Sequence, residues 1–180
     1  MRVLILIAGI LSTLLPLTSA TLEKLSIDQM IEQSSAIARV KVIHSHAERR
    51  GAVIYTFSEV KVLEQWKGDE QTTIEVAVPG GAVAGYRQDF SGAPSLKKDT
   101  EYVLFLWTSK SGINHVIGLS QGVFTLSVDE KGQVIVHRGA TVEVMLDPEN
   151  GEPVQDKALT FGIGDLRDHV ERTLNKSRRK

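Results

Sequence analysis

The chain has 180 residues, 21 basic against 22 acidic, a formal net charge of -1 and no cysteine. The near balance of charge leaves no basic footprint of the kind nucleic-acid binding requires. Without cysteine the chain has no disulfide, no zinc–thiolate site and no thiol nucleophile.

The first twenty residues read as an export signal. Arg2 supplies the positive charge, Val3 to Leu11 is almost unbroken apolar sequence, and Thr18-Ser19-Ala20 offers small residues for a peptidase. The expected domains are therefore a signal peptide over 1–20, a single β-barrel domain over 21–175 and a basic tail over 176–180. Cleavage after Ala20 removes Arg2 alone among the charged residues, leaving 20 basic against 22 acidic and a net charge of -2. An exported chain without cysteine points to a bacterial periplasm or exterior. After the signal, no segment is long and apolar enough to span a membrane.

From Leu22 to Ser35 the pattern is helical, with Ser26 and Gln29 spaced as a capping box and Ile27, Met30 and Ile31 on one face. At Ala36 the period becomes two, and a half-buried strand is expected to fray at His44 and turn by Gly51. In the next strand, Val53 to Leu63, Tyr55 and Phe57 set one register and Val60 and Val62 the other. A bulge near Ser58-Glu59 would bring all four to the inner face. Thr72 to Val78 forms a third strand, with Ile74, Val76 and Val78 inward.

Pro79-Gly80-Gly81 ends that ladder. The stretch from Ala82 to Thr100 is long for a structureless loop, so either part of it pairs as an edge strand or it is functional. Glu101 to Thr108 is apolar on both faces and reads as a central strand. Further strands are expected at Ile113–Leu119, Val123–Val128 and Gln133–Arg138, the last two joined by a turn at Asp129–Gly132. In Thr141–Leu146, Val142, Val144 and Leu146 share one face. Asp147 to Pro153 is turn chemistry, and its carboxylates lack the frame of a calcium loop. The chain closes on a helix with Ile163, Leu166, Val170 and Leu174 on one side. The expected fold is mainly β: the strand spacing favours a small barrel or sandwich, and of the two a partly open barrel, with a short N-terminal helix and a C-terminal helix.

Candidate chemistry is sparse. His44 and His46 point the same way and could clamp a metal, with His115, His137 or His169 as a third ligand. Exposed histidines on a strand end are the plainer account, so no metal and no cofactor is assigned. Gly118-Leu-Ser-Gln-Gly122 matches the nucleophile elbow, but a strand rather than a helix follows it. A hydrolase would need Ser120 with His137 or His169 as base. Of the aromatics only Tyr55, Phe57 and Phe124 could interleave on a sheet face, and core positions are expected for them. The glycines at 80, 81 and 85 do not make a phosphate cradle. The candidate binding residues are Gly80, Gly81, Tyr86, Arg87, Asp89 and Phe90, on a glycine-jointed segment that could display a recognition surface.

Several segments together are Ser34-Ser35-Ala-Ile-Ala-Arg-Val-Lys-Val42, Tyr55 to Val62 with Trp66-Lys-Gly68, Val78-Pro-Gly-Gly81, Gly92-Ala-Pro94, Tyr102-Val-Leu-Phe-Leu106 and Gly118 to Phe124. Between Ser26 and Val128 they resemble an exported bacterial domain of unknown activity, found alone or ahead of matrixin-type metalloprotease domains. That module in turn resembles the OB-type barrel of tissue metalloprotease inhibitors and netrin-like domains. The inhibitors act through an N-terminal cysteine, which this chain lacks, so the resemblance implies fold and compartment but no catalytic residue. The expected function is an exported, non-catalytic module that binds an extracytoplasmic protein or other ligand. A hydrolase and a protease-inhibitor-like role are the alternatives.

Overall fold

The computed structural model describes residues 21–141 and 143–179. The expected signal peptide, the site of Val142 and the last residue of the tail lie outside them. The described residues begin with β1 (Thr21–Glu23) and α1 (Ile27–Gln33), followed by the long strands β2 (Ala36–Arg50) and β3 (Val53–Lys67). After them come β4 (Thr73–Pro79), the hairpin β5 (Gly81–Val83) and β6 (Tyr86–Gln88), β7 (Glu101–Thr108) and β8 (Asn114–Val116). The last third holds β9 (Val123–Val128), β10 (Val134–Arg138), β11 (Val144–Leu146), β12 (Pro153–Val154), β13 (Leu159–Gly162) and α2 (Ile163–Ser177).

Five strands close a ring in the order β7-β2-β3-β4-β8, with β8 pairing back onto β7. All neighbours are antiparallel except β4 and β8, which run parallel. This is a small five-stranded barrel, in keeping with the barrel expected from the strand spacing and the OB-like form implied by the resemblance. Alternation along each strand fills the interior with Ala38, Val40, Val42, Val60, Val76 and Leu104, all fully buried. A second layer lies outside the ring. Strands β9, β10 and β13 extend the sheet beyond β7, and α1 and α2 cover it. Their core is built from Met30, Ile31, Phe105, Phe124, Leu166 and Val170.

Strand β7 serves both layers. Tyr102, Leu104 and Leu106 point into the barrel, and Val103 and Phe105 point under the helices. The absence of alternation in this segment has that cause: both faces are buried. The helices follow their sequence patterns. Ser26 caps α1 in a reciprocal capping box with Gln29, at 3.1 Å and 2.8 Å. In α2, Leu166 and Val170 are fully buried.

Five sequence expectations are corrected. Leu22 is in β1, which pairs in parallel with β11, not in a helix. The region His44 to Arg50 is not a frayed end, because β2 continues to Arg50 opposite Val53. The expected bulge at Ser58-Glu59 is absent: β3 pairs with β4 in unbroken register from Tyr55↔Pro79 to Lys61↔Thr73. The irregularities fall instead at Ile43 on β2 and at Leu63 and Trp66 on β3, which the pairing skips. Tyr55 and Phe57 therefore face away from Val60 and Val62. In β11 the buried residue is Met145, while Val144 is 46% exposed, so the sequence alternation there marks the outer face. Strands β12 and β13 are additional to those expected.

Candidate functional site

The segment from Gly80 to Pro94 is ordered by its backbone. Ala84 and Gly85, at φ 50 and 80, make the two-residue turn of the β5–β6 hairpin. Gly80 donates its N–H to the Ile54 carbonyl at 2.8 Å and accepts from Thr56 Oγ1 at 2.8 Å. Gly81 has φ 139, and a Cβ there would lie 2.8 Å from Thr56 Oγ1. Gln88 fastens the other end of the hairpin. Its side-chain oxygen accepts from the Ile54 N–H at 2.7 Å and its amide donates to the Ala52 carbonyl at 2.9 Å. Gly80 and Gly81 thus serve the backbone.

Five of the six candidates converge. Gly80, Gly81, Arg87, Asp89 and Phe90 line one cleft of about 270 Å³ at the end of the barrel. Tyr86 is not among its walls and stands 67% exposed. Arg87 grips Asp89 with two hydrogen bonds, 2.8 and 3.0 Å. That pairing holds the Asp89 carboxyl below its ordinary range and raises the guanidinium. The two charges neutralise each other on an open surface, where such a pair adds little stability.

A second cleft, about 400 Å³, adjoins the first, and Val78, Pro79 and Pro94 belong to both. The sheet register builds it. His46, Phe57, Ala77, His115 and Trp107 form one lateral row across five strands. All point outward, because the skipped residue at Ile43 turns His44 and His46 out of the barrel. The rings make a near-continuous chain: His46–Phe57 at 5.6 Å, Phe57–Tyr55 at 6.2 Å, Tyr55–His115 at 6.1 Å and His115–Trp107 at 4.9 Å. Arg50 lies over the Phe57 ring at 5.0 Å. Ala77 is the one small member of the row, and it floors the cleft that Tyr55, His115 and Trp107 surround.

His115 Nδ1 sits 3.3 Å from the Ala77 carbonyl and donates to it in the neutral ring, leaving Nε2 as an acceptor. Burial pushes the His115 pKa down, against that hydrogen bond. Beyond Trp107 a third cleft, about 420 Å³, shares Leu22, Trp107 and Gly118 with the second. The three clefts run end to end from the hairpin to the C-terminal end of α1.

The remaining candidates are separated. His44 and His46 lie parallel at 6.2 Å. Among the described residues no three His, Asp or Glu side chains gather as a metal would need. Ser120 lies in a 3-10 turn, Leu119–Gly122, and makes no hydrogen bond to a histidine among the described residues. His137 Nδ1 is 3.5 Å from Ser127 Oγ, and His169 Nε2 holds Asp28 at 2.6 Å. The glycines around Ser120 have a packing reason. The buried Gln121 side chain accepts from the Leu25 N–H and donates to the Glu23 carbonyl, both at 2.9 Å. A Cβ on Gly122 would meet the Phe105 carbonyl at 2.9 Å.

Sequence reasoning missed Trp107, weighed His115 only as a third metal ligand, and assigned Tyr55 and Phe57 to the core. Phe57 is buried, but on the outer face under its neighbouring rings; Phe124 is in the core as expected. The parity of β7 was a usable signal: Trp107 follows Val103 and Phe105 on the outward side, past the reach of the helices. Which residues stand beside it depends on strand register, which the sequence does not state. Compared with known proteins, the chain matches no family model, no curated protein and no solved structure.

Proposed function

We propose that the chain is an exported, non-catalytic β-barrel module that binds an extracytoplasmic protein through the Gly80–Pro94 region and the cleft it borders. One observation carries the reading. The hairpin segment and the row of rings come from distant parts of the sequence, yet their clefts share the walls Val78, Pro79 and Pro94. Concave, largely apolar sites with a few polar groups are where ligands are held. The export half of the reading is supported by Arg2, the apolar run after it and Thr18-Ser19-Ala20.

Two measurements test it. N-terminal sequencing of the protein recovered from cells is expected to begin at Thr21; a chain still starting at Met1 removes the compartment. In pull-downs from envelope extract, wild type is expected to retain a partner that the Tyr86→Ala/Arg87→Ala/Asp89→Ala variant loses. Identical partners for both would remove the assignment of the site.

A further inference from the structure

We infer that the cleft between Tyr55, His115 and Trp107 is a subsite for an uncharged, proline-containing peptide segment in the polyproline II conformation. The inference rests on the binding reading above and names the chemistry of the segment bound.

The walls decide the charge. Leu22, Tyr55, Pro79, Pro94, Trp107 and His115 contribute to the cleft, and no Asp, Glu, Lys or Arg does. Burial lowers the His115 pKa and so favours its neutral ring. A charged segment would lose its hydration there with nothing to replace it. The polar atoms decide the backbone. Among the described residues, Trp107 Nε1, the Tyr55 hydroxyl and His115 Nε2 make no hydrogen bond within the chain. The indole and the phenol are donors, so they suit an occupant rich in carbonyl acceptors. A polyproline II segment fits: its backbone is free of internal hydrogen bonds, and each proline removes an N–H but keeps a carbonyl. Its rings pack on aromatic faces, the mode by which aromatic-lined grooves take proline-rich segments.

Strand addition is disfavoured by position. The floor is the Ala77 side-chain face of the sheet, and Ala77 already pairs with Phe57 on one side and His115 on the other. The main-chain partners an added strand would need are taken. The continuation of the cleft past Pro79 and Pro94 on one side, and past Trp107 on the other, suits an extended chain rather than a compact ligand.

The chain has two tryptophans, and the other, Trp66, is packed against the helix-covered core. In a Trp66→Phe background, Trp107 emission therefore reports on the cleft directly. The full chain is titrated with a peptide of roughly ten prolines, extended at about 3.1 Å per residue, and with a Gly/Ser peptide of equal length. A saturable emission change with the proline peptide alone is expected. Tyr55→Ala should weaken it by at least about tenfold, while Tyr55→Phe, which keeps the ring, should weaken it less. Trp107→Ala, at a half-exposed position outside the helix-covered core, should abolish the heat of binding in calorimetry.

Equal binding of the Gly/Ser peptide overturns the inference, as does an unchanged affinity in Tyr55→Ala and Trp107→Ala. No saturation by the proline peptide also overturns it. If that occurs while the pull-down partner is still lost in the Tyr86/Arg87/Asp89 variant, the binding reading stands and only the peptide class falls.

Discussion

The outer wall of the barrel has two faces built by the same alternation and finished differently. On β7, Val103 and Phe105 point outward and are fully covered by α1 and α2. Two residues on, Trp107 points the same way and is 41% exposed. Across β2 the contrast repeats: Ile37 is buried under the helices, whereas His44 and His46 are exposed. An outward residue is buried where a helix lies above it; on the open face the cover comes only from neighbouring rings, as over Phe57. The covered face buries its aromatic residues beneath the helices, and the open face leaves Trp107 partly in solvent.

The sharpest test of that contrast is the pair Phe105→Ala and Trp107→Ala. Phe105 touches both the helix layer and Phe124, whose ring centroid is 5.6 Å away. Its truncation should cost about 3–5 kcal/mol in urea unfolding. A cost under about 1 kcal/mol would mean that the helix layer is not a packed core.

Next in size is Asp156→Ala. Arg138 and Asp156 form a bidentate pair at 2.6 and 3.0 Å, with side chains 6% and 1% exposed. The pair pins the excursion carrying β11, which through β1 holds Leu22 at the edge of the open face. Removing the carboxylate strands a buried guanidinium and should cost roughly 3 kcal/mol. Burial raises the Asp156 pKa, but the Arg138 hydrogen bond and the Thr141 and Lys157 backbone contacts outweigh it, and the net direction is down. A carboxyl whose folded pKa is depressed stabilises the fold above its unfolded pKa of about 3.9. That contribution should drain away as pH falls through the folded value. A wild-type and an Asp156→Ala acid-unfolding curve of the same shape below pH 4 would break the assignment.

The smallest effect belongs to the open face. Trp107→Ala loses one ring stack on His115 and should cost about 0.5–1.5 kcal/mol. A loss as large as that of Phe105→Ala would make the ring row a second core instead of the open surface proposed for binding.

Much of the fold was legible because it is local or periodic. The capping box at Ser26 and Gln29, the two-sided burial of Tyr102 to Leu106, the turn at Asp129–Gly132 and the face of α2 each follow from neighbours in sequence. Misreadings came where the outcome depends on a distant partner. Tyr55 and Phe57 were drawn inward because Val60 and Val62 are inward, and only the unbroken pairing with β4 shows that they oppose them. Leu22 joined the helix that follows it because β11, its partner strand, lies more than a hundred residues away. For the site, the glycine-rich segment was visible as a stretch that neither core nor short turn explains, and five of its residues do share a cleft. The rings beside it were not.

By itself the sequence determined a mainly β chain with the strand spacing of a small barrel, its capped first helix, its central strand and a hairpin-prone segment after β4, since hydrophobic period and turn chemistry act over a few residues. Tertiary structure alone decided which outward residues the helices cover and that Tyr55, His115 and Trp107 meet across Ala77. Lateral register is set by closure of the ring and by the skipped residues Ile43, Leu63 and Trp66. A shift of one residue would have sent every ring of that row to the other side of the sheet.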